Sequence, residues 1–94
     1  MAKSIIKNER ECYLCGKTVN LERHHIFGGV ANRKISEQLG LWVYLCHDCH
    51  TGSEYSAQYN KLTNLRLKQT AQKAYEETHT RDEWMKWIGK NYLG

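Results

Sequence analysis

The sequence predicts a small α+β fold with a helical C-terminal extension, and three features of its 94 residues carry that expectation. Val19 to Phe27 and Leu41 to Leu45 are short segments rich in β-branched and aromatic residues, and they read as strands. A Cys-x2-Cys pair precedes the first (Cys12, Cys15) and another follows the second (Cys46, Cys49). Ala57 to Thr78 contains neither Gly nor Pro and is rich in Lys, Gln, Leu and Ala, which favour helix. A chain this short buries only about two-thirds of the surface its unfolded form exposes, so its apolar core calls for a staple.

Taken in order, residues 1–11 form a polar lead-in, with Ile5 and Ile6 available for a short apolar contact. Cys12 to Lys17 makes a knuckle in which Gly16 supplies the turn. After the first strand, Gly28-Gly29 opens a loop. Ile35 to Leu39 has room for one helical turn before Gly40. The second strand, with Trp42 and Tyr44 as packing residues, runs directly into the second knuckle. From His47 onward the pattern turns helical and polar, and Gly52 marks a break. In the long helix Leu67, Ala71 and Ala74 share a face, while Leu62 and Leu65 lie off it. Thr80-Arg-Asp-Glu83 has the spacing of a capping box, which opens a last helix with Trp84, Trp87 and Ile88 on its packing side. Residues 1–94 are thus expected to form one domain, with a metal-bound core over 12–52 and a helical tail over 57–94 packed on it.

Charge narrows the partner class. There are 14 Lys plus Arg against 10 Asp plus Glu, a formal charge of +4, divided evenly between the two halves. Arg23 to Lys34 and Tyr55 to Tyr75 carry no acid at all, and basic patches of this size suit a phosphate backbone. The longest apolar run, Leu41 to Cys46, is far short of the roughly 20 residues that span a bilayer, so no membrane association is expected. The N-terminal residues lack an apolar stretch of the secretory type, which points to a reducing cytoplasm. In that compartment paired Cys-x2-Cys motifs read as a metal site, and Cys12, Cys15, Cys46 and Cys49 would complete a tetrahedral four-thiolate zinc site. Such a site would bring the strand after the first knuckle close to the residues after the second. His24-His25 and His50 would then converge, although 24 residues separate His25 from His50.

Cys-x2-Cys, then His24-His25-Ile26, then Gly28-Gly29, then Leu45-Cys46-x2-Cys49-His50, taken together, resemble the HNH nuclease family, whose active site is a ββα-metal motif. The resemblance covers Cys12 to about Gly52, and the closing Ile88 to Leu93 looks like small HNH proteins of phages and prophages. It implies a zinc-stapled ββα-metal domain in which His24 and His50 bind a divalent ion (Mg²⁺, Mn²⁺, Ni²⁺ or Zn²⁺). His25 is then the general base that activates water. The family's middle Asn, about five residues before the third cysteine, is Leu41 here. Asn32 is the candidate to replace it, and Glu54 or Asn60 the candidate second helix ligand. Arg23, Arg33 and Lys34 are placed to meet phosphates, and Lys61, Arg66, Lys68 and Lys73 are candidates to extend that footprint. His47 and His79 are assigned to structural or surface work.

The implied function is hydrolysis of DNA phosphodiester bonds by nicking or weakly specific cleavage in a bacterial host cell, with phage or recombination proteins as candidate partners. The alternatives are a non-catalytic zinc module that binds DNA or protein, and a ribonuclease or anticodon-directed toxin built on the same motif.

Overall fold

A computed structural model describes residues 3–52 and 60–94 of the chain, and only the backbone at Val30. Strand β1 (Leu21–His25) and strand β2 (Trp42–Cys46) form a two-stranded antiparallel sheet with Leu21 opposite Cys46 and His25 opposite Trp42. Helix α1 (Val30–Leu39) lies in the connection between them. A single π-helical turn, Asp48–Gly52, follows β2, and the helices α2 (Lys61–Glu76) and α3 (Arg81–Trp87) complete the fold. The result is a small α+β protein with four clustered cysteines.

The first strand is shorter than the sequence pattern predicts, because Val19 is 64% exposed and Asn20 takes a positive φ of 53° that ends extended pairing. The loop expected after Gly28-Gly29 is instead helix from Val30 onward, so the single turn expected over Ile35 to Leu39 is the second half of a ten-residue helix. Gly29, at φ 90°, turns the chain straight into α1 with no side-chain cap, so the start carries none of the usual signals. Ser36 is what fixes α1: its buried hydroxyl donates to the Phe27 carbonyl at 3.0 Å and accepts from the Phe27 N–H at 3.2 Å. Gly40 ends the helix in the left-handed region (φ 75°), where a Cβ would meet the Lys3 carbonyl oxygen at 2.2 Å. The lead-in is therefore docked, and Ser4 donates to the Trp42 carbonyl at 2.6 Å.

The core joins Ile26, Phe27, Leu41, Val43 and Leu45 from the sheet region to Leu67, Ala71, Tyr75 and Trp84 from the helices. On α2 the buried set is Leu67, Ala71, Gln72 and Tyr75, with Ala74 only half-buried. Leu62 and Leu65 are exposed, as their position off the stripe predicts. Thr80 and Glu83 form the capping box in full. Trp84 is fully buried, but Trp87, expected to pack beside it, is 38% exposed, because α3 ends at that residue. Trp42 is buried and Tyr44 half-buried, their rings meeting edge-on at 5.1 Å. Among the described residues no helix is long and apolar enough to cross a membrane.

Candidate active site and cysteine cluster

The four cysteine sulfurs come from three local elements. Cys12 and Cys15 sit in a turn closed by Gly16 N–H donating to the Cys12 carbonyl at 2.8 Å and Cys12 N–H donating to Lys17 at 2.7 Å. That turn is docked on β2 by Tyr13 N–H donating to the Tyr44 carbonyl at 2.8 Å. Cys46 ends β2 and Cys49 lies in the π-helical turn. All four are free thiols with their sulfurs within 4.8 Å of one another, and Cys15 and Cys46 approach to 3.5 Å. A tetrahedron of thiolates at the usual zinc–sulfur length has edges of about 3.8 Å, so the cluster has the dimensions of a metal site. Burial raises the Cys12 thiol, but hydrogen bonds from the backbones of Cys46, Cys15 and Leu14 outweigh it and bring it to about 6. Burial, and hydrogen bonds with Cys46, Cys12 and Cys15, push the Cys49 thiol up.

Strand alternation then sorts the residues of β1 onto two sides. Glu22 and His24 share one side. His24 is 7% exposed, and its Nε2 is the one buried side-chain polar atom without a hydrogen-bond partner among the described residues. Its ring meets that of His50 edge-on, with centroids 5.1 Å apart. Burial, then the nearby His50, His25 and Lys68, lowers the His24 imidazole to about 4, so it is neutral at pH 7. His50 in turn is oriented by Glu22, whose Oε1 lies 2.7 Å from His50 Nδ1. That bond holds the Glu22 carboxyl below the usual carboxylate range. The other Glu22 oxygen lies 3.5 Å from Nδ1 of the exposed His47.

Arg23 and His25 share the opposite side. His25 Nε2 lies 2.5 Å from Glu37 Oε1 of α1, and the bond depresses the Glu37 carboxyl. Arg23 supports the same carboxylate from 3.7 Å while its guanidinium stacks 3.9 Å over the Trp42 ring. Arg23 is thereby engaged in holding the histidine's partner as well as facing the cleft.

A cleft of about 460 Å³ opens over these groups, bordered by Arg23, His24, His25, Arg33, His50, Asn64 and Lys68. Arg33 reaches it from α1 rather than from a loop, whereas Asn32 and Lys34 lie on exposed positions of that helix and do not border the cleft. Asn60 caps α2, its side-chain oxygen accepting from the Thr63 N–H at 3.0 Å. Glu54 lies outside the described residues. His79 stacks on Tyr75 at 4.2 Å, away from the cleft. Sequence reasoning passed over Glu22, Glu37 and Asn64. The alternation of β1 was a usable signal for Glu22, since it lies two residues from His24; nothing local marks Glu37 or Asn64.

Comparison with protein-family models, with characterised proteins and with solved structures gives no match to this chain.

Proposed function

We propose that this protein is a metal-dependent endonuclease of the HNH type that hydrolyses DNA phosphodiester bonds. The observation that carries the reading is the division of labour across β1: a buried, unpartnered imidazole nitrogen on His24 beside His50 on one side, and a carboxylate-held His25 on the other. A neutral histidine with an unspent nitrogen, next to a second histidine whose far nitrogen is fixed by a carboxylate, is a donor set suited to a divalent ion. His24 and His50 would hold that ion, which when bound supplies positive charge for the leaving 3′-oxygen. The four cysteines would hold a separate zinc, and four thiolates leave no open position for water, so its role is structural.

The protein's own groups account for the remaining steps. With Nε2 committed to Glu37, His25 has Nδ1 left to accept a proton from the attacking water. The negative Glu37 favours the protonated ring that results. Arg33 and Lys68 border the same cleft and offer charge to the phosphate. Glu37 takes the bracing task expected of the family's middle Asn, a position occupied here by the fully buried Leu41.

The test is nicking of supercoiled plasmid by the zinc-loaded protein with Mg²⁺ or Mn²⁺, beside His50→Ala and beside an RNA of matched length. Metal-dependent nicking lost in His50→Ala supports the reading. Cleavage of RNA alone would move the protein to the ribonucleases. DNA binding without any cleavage would make it a non-catalytic zinc module.

A further inference from the structure

The cleft over the histidines is not the only basic hollow on this side of the molecule. A second, of about 260 Å³, is bordered by Lys61, Leu65, Lys90 and Tyr92, and it shares Asn64 and Lys68 with the first. Two hollows with a common wall form one trough. Among the described residues, its cations are Arg23, Arg33, Lys61, Lys68 and Lys90, and no acidic residue borders either part. We propose that this trough seats a single DNA strand, with Lys61, Lys68 and Lys90 holding the phosphates that follow the one over His24 and His50. The proposal rests on the nuclease reading above and adds the path and the length of the strand that is bound.

Helix geometry argues for one face of α2 rather than for general basicity. Lys61, Asn64, Leu65 and Lys68 follow i, i+3, i+4, i+7 spacing and so share a face. Arg66, Gln69, Thr70 and Lys73 follow the same spacing on a face about 140° away at roughly 100° per residue, and they border a different hollow with Leu93. The charge count of the two faces is equal; only the first opens onto the histidines. The far wall of the trough is built as well. Gln72, fully buried, accepts from the Tyr92 N–H at 2.7 Å and donates to Asn91 at 2.9 Å. Gln69 donates to the Tyr92 carbonyl at 3.1 Å, and the Trp84 indole donates to the Lys90 carbonyl at 2.8 Å. Lys68 and Lys90 sit 5.6 and 5.3 Å from the Tyr92 ring centre. The C-terminal residues that supply Lys90 are thus held in place before any strand arrives, which lowers the ordering cost of binding.

The experiment measures the affinity of zinc-loaded protein for a labelled single-stranded DNA oligonucleotide across a range of salt. A His25→Ala background keeps the strand uncut, and parent nicking is assayed alongside. Two double variants remove equal charge from exposed positions: Lys61→Ala with Lys90→Ala, and Arg66→Ala with Lys73→Ala. Each phosphate contact on a single strand contributes about 0.7 to the slope of log affinity against log salt, so the first pair should flatten the slope by about 1.4. The second pair should leave it unchanged. Equal flattening by both pairs, no change with the first, or no binding by the parent background overturns the trough. If the slopes behave as expected while the parent does not nick, the trough stands and the nuclease reading falls; nicking with unmoved slopes has the reverse meaning.

Discussion

Replacing Glu37 isolates the contribution of a single carboxylate to the proposed base. Its Oε1 lies 2.5 Å from His25 Nε2, and Arg23 at 3.7 Å is the only other charged group with an ion-pair contact to it among the described residues. A hydrogen bond to a charged partner contributes about 1.5–3 kcal/mol, and here that contribution grows as His25 takes up the proton. At about 1.36 kcal/mol per decade, its loss in Glu37→Ala should slow turnover by about 10- to 150-fold. Glu37→Gln, which keeps an acceptor without the charge, should fall between the two. Glu37 does not border the cleft, so it acts by positioning, and the reduction should lie in kcat with KM little changed. Initial nicking rates at several DNA concentrations, with zinc content checked in each variant, measure this. Full activity in zinc-loaded Glu37→Ala would show that His25 needs no such brace and would remove the reasoning that assigns it as the base.

The Glu22–His50 pair predicts that Glu22→Gln weakens Mn²⁺ binding at the histidines by about 10- to 100-fold, by titration calorimetry, while the cysteine-bound zinc is retained. Removing that zinc with a strong chelator should abolish cooperative unfolding, because Cys12 and Cys46 are part of the core; the fully buried Trp84 reports it by a red shift in emission. Thr80→Ala, which takes the hydroxyl from the α3 capping box, should cost about 1 kcal/mol, or about 4–8 °C in Tm by calorimetry. Backbone hydrogen bonding at Thr80 holds the Glu83 carboxyl below its ordinary 4.5, so this contribution is complete above pH 4.5 and is lost as pH falls through the lower folded value. Glu83→Gln should therefore reduce the loss of stability below pH 4.5, as followed by thermal melts across acid pH.

Much of the arrangement is written in local pattern. The two Cys-x2-Cys turns, the apolar strand before Cys46 and the Thr80 capping box each depend on neighbours a few residues apart, and each forms where its spacing places it. The close approach of His24 to His50 follows from the cysteine cluster, which joins the two ends of the hairpin. The first half of helix α1 was illegible, unlike its last turn over Ile35 to Leu39, because its start has neither a capping side chain nor an acidic first turn, and its anchor, Ser36, acts through a contact nine residues away. Glu37 and Asn64 were hidden for the same reason: each looks like a surface residue until the packing of a helix brings Glu37 against His25 and Asn64 to the cleft. Lys61, Lys68, Arg66 and Lys73 read alike in sequence, and only the orientation of α2 separates the pair facing the histidines from the pair that does not.

The most direct test of the central claim compares plasmid nicking by the parent and by His25→Ala, both with zinc content measured. Metal-dependent nicking by the parent, with a loss of at least about 100-fold in the variant, is the predicted result for a general base. Equal rates in two zinc-loaded proteins would contradict it and remove His25 from the chemistry.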